Sequence, residues 1–367
     1  MKETFVSSNL QTGIVGASAE RGWARISHVP AIQQLDGLEL RSVVTRKQSS
    51  ANMAVEAFGA AKGYDDPKEL FVDPEIDIVA VAVNVPSHRD LVLAALAAGK
   101  HVYCEYPLGR NVAEAEEMAE AARKAGVHVA IGLQLRANPA AVRAREMIMA
   151  GKIGRVLNAR VVSSTVAFGS HIEHAMTFAE NPENGVTLVS IQGAHTIDLA
   201  IALLGEFTDI TALASTQFPQ IAIAGGAPQH RTTPDHLALI ARLAGGAPLS
   251  IEVIGGRPAD QAAFRFEVIG ETGKLVLIGG APRGVQSGVL RLFLDDEEQT
   301  VDAGAVATPE SAVNVAGVYM ALRDDITSGT RTAPDFDHAV RVTRLIKDVM
   351  AASQSGSRVS ASDWPCY

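Results

Sequence analysis

Ile76-Asp77-Ile78-Val79-Ala80-Val81-Ala82-Val83 is a near-continuous apolar run, the pattern of a central parallel strand covered on both faces. Before it, Gln11-Thr12-Gly13-Ile14-Val15-Gly16 reads as a strand ending in glycine, and Ala24 to Gln34 has helical spacing interrupted near its start by Pro30. Leu38 to Val44 is a second strand and Ser50 to Phe58 a second helix. After it come a helix over Pro86 to Ala98, a strand over His101 to Cys104, a helix over Val112 to Ala125 and a strand over Val127 to Leu133. Strands alternating with helices predict right-handed βαβ units and a parallel sheet. Residues 1–136 are therefore expected to form an α/β domain.

From about Asn138 the grammar changes. Ala140 to Ala150 reads as a linking helix closed by Gly151, and Val156 to Val166 alternates like a strand. Further strands are expected over Asp209 to Thr216, Asp235 to Leu243, Leu249 to Ile254, Phe264 to Ile269, Lys274 to Ile278 and Val289 to Leu294. Gly245-Gly246-Ala247-Pro248 and Glu271-Thr272-Gly273 are hairpin signals. These predict an α+β second domain over residues 137–367 with a large, mainly antiparallel sheet. A helical insertion over Gly185 to Leu204 interrupts it, and a tail helix over Asp337 to Ala352 is expected to pack back on the first domain. Helices on one face of such a sheet leave the other face to be covered, which predicts a homodimer or homotetramer through it.

The 367 residues carry 32 basic against 41 acidic side chains, a net charge of -9. That argues against a nucleic-acid or anionic-membrane surface, both of which need a basic patch. Cys104 and Cys366 form no ligand pattern, so a reducing, cytoplasmic setting and no metal site are expected. His171, Glu173 and His174 read as a solvated loop rather than a metal centre. The stretch Met1 to Phe5 lacks a signal-peptide core, and no apolar run approaches the roughly 18 residues of a membrane span.

The turn Gly16-Ala17-Ser18-Ala19-Glu20-Arg21-Gly22 stands where a dinucleotide fingerprint belongs. There the first glycine permits the tight turn and the second lets a diphosphate approach the backbone; Ser18 takes the second place, and the turn is longer than standard. By itself it is a weak match. The second strand ends Val43-Val44-Thr45-Arg46-Lys47, without the carboxylate that would bind NAD ribose. Thr45 and Arg46 suit the 2′-phosphate of NADP, although the same residues also read as a solvated Arg-Lys pair. The next contact segment is the loop Asn84-Val85-Pro86-Ser87-His88. The strand His101 to Cys104 runs into the corner Glu105-Tyr106-Pro107, which should overlook the cofactor.

These features resemble the Gfo/Idh/MocA (glucose–fructose oxidoreductase / inositol dehydrogenase) family over essentially the full length. The resemblance is carried by Gly16-Ala17-Ser18, Pro86-Ser87-His88, Glu105-Tyr106-Pro107, His195-Thr196-Ile197-Asp198 and Gly270-Glu271-Thr272-Gly273. Asn184-Gly185-Val186, Pro234-Asp235-His236-Leu237 and Gly255-Gly256-Arg257-Pro258 are similar to the branch that includes the yeast galactose-regulon repressor. The family implies a Rossmann domain, a sheet-faced oligomer, and hydride transfer between nicotinamide and a small, sugar-like substrate. It implies cofactor contacts at Gly16, Ala17, Ser18, Thr45, Arg46, Asn84, Pro86, His88 and Glu105, with NADP favoured over NAD. Gln134, Arg136 and Asp198 are the expected substrate contacts.

The family generally has lysine at position 106 and aspartate four residues before the helix histidine; here these positions are Tyr106 and Ile191. Tyr106 and His195 are then the expected catalytic pair, with Tyr106 donating to a carbonyl and His195 supplying the proton. A buried structural role is the plain alternative for His195. The biliverdin reductase branch is similar in carrying Glu-Tyr-Pro, so tyrosine is compatible with reduction. The two departures equally suit a catalytically weak NADP-binding sensor read by a protein partner. The Tyr106-Pro107 bond is a candidate for the cis form.

Overall fold

The computed structural model describes residues 9–302, 306 and 308–360; Met1 to Phe5 and Cys366, weighed above, lie outside the described residues. The chain divides into two compact units, residues 1–109, 113–132 and 304–340 in the first and 110–112, 133–303 and 341–367 in the second. The division is more interleaved than a single boundary after residue 136.

The first unit holds a six-stranded sheet of β1 (Leu10–Val15), β2 (Leu38–Val44), β3 (Lys62–Tyr64), β4 (Ile78–Val81), β5 (His101–Glu105) and β6 (Val129–Gly132). All pairs are parallel, in the order β3-β2-β1-β4-β5-β6. All four residues of β4 are fully buried, as its unbroken apolar sequence requires. Asp77, the one charge in that run, accepts the Gln11 N–H at 2.8 Å and so splices β4 to β1. Chain order reverses between β1 and β4, which opens a crevice at their carboxyl ends.

The helices are α1 (Val29–Gln34), α2 (Gln48–Phe58), α3 (Pro67–Val72), α4 (His88–Ala97) and α5 (Val112–Ala125). A wide turn, Ala24–His28, leads into α1. Pro30 explains it: proline has no N–H and its ring crowds the carbonyl four residues back. That carbonyl, on Ile26, instead accepts the Ser311 hydroxyl at 2.5 Å. Ser311 belongs to a helix, Glu310–Ser328, that packs on β6 and on the segment leading into α1. It has no counterpart in the sequence reading, because its apolar residues run nearly all the way round and leave no one-sided stripe. The helix expected over Asp337 to Ala352 runs Phe336–Ser355, starting in the first unit and continuing in the second.

The second unit is built on a nine-stranded sheet. Its chain contains α6 (Pro139–Met149), α7 (Ala194–Leu204), β7 (Val156–Ser164), β8 (His171–Ile172), β9 (Phe207–Ser215), β10 (Gln220–Ile223), β11 (Gln229–His230), β12 (His236–Leu243), β13 (Pro248–Ile254), β14 (Phe264–Gly270), β15 (Lys274–Gly279), β16 (Leu290–Leu294), β17 (Glu297–Gln299) and β18 (Val359–Ser360). The large sheet runs β17-β16-β15-β14-β7-β13-β12-β9-β18, antiparallel except between β7 and β13. Both glycine-bearing links expected to be hairpins join antiparallel neighbours, β12 to β13 and β14 to β15. In β12, Leu237, Leu239, Ala241 and Leu243 point inward while Ala238, Ile240 and Arg242 point out. α6 and α7 pack on the inward face.

The insertion expected over Gly185 to Leu204 is a wide turn, Val189–Gly193, running straight into α7. The run Pro182–Leu204 is long and apolar enough to cross a membrane by length and composition, but 72% of its window is buried in the protein; it is a core helix. β8, β10 and β11 form a small separate sheet that was not expected, being only 2 to 4 residues per strand. Beside it, the fully buried Arg231 clasps Glu180 at 2.6 and 2.8 Å and donates to the Phe168 carbonyl. Asp235, 3.4 Å from Arg231, also accepts the Gln217 and Phe218 N–H groups. This buried, fully bonded set fixes the course of residues 168–180.

At the end of Glu310–Ser328, the buried Asp325 carboxylate accepts from the backbone of Thr332 and Ala333 and from the hydroxyls of Thr330 and Thr332. Burial pushes its pKa up, but these donors outweigh it and the net direction is down. A depressed carboxylate contributes stability above its unfolded pKa of about 3.9, lost as pH falls through the folded value. Asp325→Asn is expected to cost about 2–3 kcal/mol at neutral pH. Urea unfolding should show that deficit shrinking below pH 4.

Candidate functional site

In the first unit the turn after β1 begins at Gly16, whose φ of +103° suits glycine. A Cβ there would stand 2.5 Å from the Ala82 carbonyl oxygen, so the two strand ends approach as closely as backbone allows. Ala17 is buried, and the Ser18 side chain accepts the Glu20 N–H at 3.3 Å, an interaction unavailable to a glycine. At the end of β2, the Thr45 hydroxyl lies 2.6 Å from that of Ser50, which donates to Lys47 O at 2.8 Å. Arg46 is exposed, as are Asn84 and Pro86. A bare, close-approach turn of this kind fits a dinucleotide diphosphate.

His88 is placed differently from its expected cofactor contact. It is buried, with Nδ1 2.9 Å from Pro107 O and Nε2 2.9 Å from Val83 O. Burial pulls its pKa below the usual imidazole value, against the opposing effect of these carbonyls. Both ring nitrogens face backbone carbonyls, and a neutral ring donates to one of them at a time, so the side chain braces the loop after β4 against the corner after β5. Cys104 lies beneath it at 3.5 Å, its thiol pushed well above the ordinary pKa by burial.

The corner itself carries Tyr106, only 6% exposed, and a cis Tyr106-Pro107 bond. Glu105, the last residue of β5, is bonded to His28 Nε2 at 2.9 Å, and His28 Nδ1 lies 2.8 Å from the Tyr319 hydroxyl. Tyr103 stacks on Tyr319 with ring centres 4.6 Å apart. His28, Tyr103 and Tyr319 had no assigned role in the sequence reading. His28 lies in a stretch read only as helical, and its Tyr319 partner lies 291 residues away.

In the second unit, His195 and Asp198 lie on α7 and are almost wholly buried. Arg136 Nη1 is 3.4 Å from Asp198 Oδ1, so the two expected substrate contacts pair with each other. Gln134 is 1% exposed, and its Oε1 has no hydrogen-bond partner among the described residues. Three residues before His195, Gln192 is also buried, its amide 3.3 Å from Arg283 O; it was not anticipated. The wide turn ahead of α7 is where the missing aspartate would have been, and Ile191 there is half-buried. His171, Glu173 and His174 are partly or fully exposed.

Residues 10–133 match the family described as oxidoreductase family, NAD-binding Rossmann fold, GFO_IDH_MocA, and residues 139–279 match the Gal80p C-terminal domain. The first stretch is thus similar to the Gfo/Idh/MocA oxidoreductases and the second to Gal80p. The chain is similar to the dehydrogenase aclE of Aspergillus oryzae, 27% identical over 97% of this chain and 99% of that protein. It is also similar to the levoglucosan dehydrogenase of Pseudarthrobacter phenanthrenivorans, 27% identical over 73% of each. The fold is shared with a super-repressor mutant of Gal80p from Saccharomyces cerevisiae, with a TM-score of 0.86, 24% identity, and coverage of 97% of this chain and 99% of that one.

Gly16→Ala tests the cradle. The added methyl collides with a backbone carbonyl at a φ that L side chains avoid, which should cost about 2 kcal/mol or more of stability. Differential scanning fluorimetry should show a thermal upshift on adding dinucleotide to the wild type and none for the variant.

Proposed function

We propose that this protein is an NADP-dependent oxidoreductase that transfers a hydride between the nicotinamide and the C–OH or C=O carbon of a small, neutral, sugar-like compound. The observation that carries this is the dinucleotide turn at Gly16 with Thr45, Ser50 and Arg46 at the next strand end and no carboxylate among them. The guanidinium and hydroxyls suit a 2′-phosphate, which a carboxylate there would repel. The dinucleotide supplies or accepts the hydride. Tyr106 hydrogen-bonds the reacting oxygen, and His195 takes its proton in oxidation or returns it in reduction. A C–H and an O–H bond break on the alcohol, and a carbonyl, a reduced nicotinamide and one proton result.

Arg46→Ala is expected to raise the Kd for NADP by about 10- to 100-fold, the value of one charge-assisted contact, and to leave the NAD affinity nearly unchanged; isothermal titration measures both. Among sugars, polyols, lactones and keto acids assayed by NADPH absorbance, the productive class should lose about 10²–10⁴-fold in kcat with His195→Ala and less with Tyr106→Phe. Full activity in both variants would remove these roles. A second reading, an NADP-binding sensor that acts through a protein partner, is favoured by the loss of both lysine and aspartate at positions 106 and 191. It takes over if NADP binds and no substrate class turns over.

The outward face of the large sheet supports assembly. Leu213 and Ile240 are 63% and 62% exposed on adjacent strands, with Ala238 between them opposite Leu213. We infer a homodimer or homotetramer through this face. Leu213→Asp with Ile240→Asp should lower the mass measured by light scattering to that of one chain while leaving the far-UV spectrum intact.

A further inference from the structure

Tyr319, His28 and Glu105 form a buried row with one open end. The Tyr319 side chain is fully buried and its hydroxyl meets His28 Nδ1 at 2.8 Å. Burial and the nearby Glu105 charge push that hydroxyl well above its ordinary pKa, so it stays un-ionised and can share a hydrogen with Nδ1. The other ring nitrogen, Nε2, meets Glu105 Oε1 at 2.9 Å, and because a carboxylate oxygen only accepts, Nε2 carries the hydrogen of that bond. The row therefore ends on a carboxylate that accepts from His28.

The carboxylate cannot easily turn. Tyr103 and Tyr319 pack edge-on against the His28 ring at 5.0 and 5.7 Å, which holds the donor in place. On the other side lies Gly132 of β6, where a Cβ would come within 2.8 Å of Glu105 Oε1 and 3.0 Å of Oε2. The absent side chain lets the acid lie against the β6 backbone. Glu105 is the only member with an open edge, its side chain 15% exposed, and it stands at the carboxyl end of β5, the edge where ligands of such sheets bind.

We propose that Glu105 is a fixed counter-ion for the nicotinamide ring, with His28 and Tyr319 as positioning residues, and that it makes the protein hold the oxidised dinucleotide more tightly relative to the reduced one. The inference rests on the reading of NADP as cofactor. Its logic is electrostatic. The oxidised ring carries a positive charge and the reduced ring none, whereas the ribose hydroxyls are identical in both. An acid that only accepts ribose hydroxyls favours the two forms equally; an acid that acts on the ring favours one.

The discriminating quantity is the ratio of Kd for NADP⁺ to Kd for NADPH, measured by titration on the full chain. Glu105→Gln keeps the shape and the His28 bond but removes the charge. It is expected to weaken NADP⁺ on the order of tenfold, as for a partly screened charge pair, with NADPH changed by less than about twofold. His28→Gln and Tyr319→Phe should move the ratio the same way by a smaller factor, and Glu105→Asp should restore part of it. Ligand-free thermal unfolding of each variant separates this from a loss of fold, and a folded Glu105→Gln alone suffices for the test. Equal weakening of both forms, or an unchanged ratio, would overturn the proposal. Wild-type protein that bound neither form would overturn the cofactor reading itself and this inference with it.

Discussion

Complete burial of β4 is the constraint on which the first unit depends. Ile78, Val79, Ala80 and Val81 have no exposed surface, so β4 must have a strand on each side and helices above and below. Parallel neighbours then bring all carboxyl ends to one edge. The reversal between β1 and β4 opens that edge, and Gly16 brings the two backbones together where a side chain would not fit. The dinucleotide turn, the loop after β4 and the Glu105-Tyr106-Pro107 corner meet there because the sheet leaves them no other place.

Polar groups beneath that edge do structural work that their chemistry alone would not suggest. His88 looks like a ligand contact in the sequence but braces two loops through backbone carbonyls. His28, which looks like an ordinary helix residue, orders a carboxylate instead. The second unit repeats the pattern, since Arg136 and Asp198 pair with each other and Arg231 is spent on Glu180 and Asp235. Buried charge has to be matched locally before it can serve anything else.

The legibility of the elements followed their periodicity. β4 and the alternating strands of the large sheet were visible because burial on two faces or on one leaves a period in the sequence. The helix Glu310–Ser328 was not, because its apolar residues make no one-sided stripe, and the two-residue strands β8 and β11 are too short to carry a period at all. The same distinction holds for the site. Gly16, Thr45, Arg46 and Tyr106 lie in local motifs next to strand ends, where position in the chain implies position in space. Gln192, His28 and Tyr319 belong to no local motif.

By itself the sequence determined the two-part architecture, the resemblance to Gfo/Idh/MocA oxidoreductases, and the two departures from their catalytic pattern, Tyr106 and Ile191. Each of these is encoded in residues close together along the chain. Only the tertiary structure decided which polar side chains are already committed. Whether His28 meets both Glu105 and Tyr319 depends on segments 77 and 291 residues apart, and hydrogen bonds of that range leave no spacing in the sequence to read.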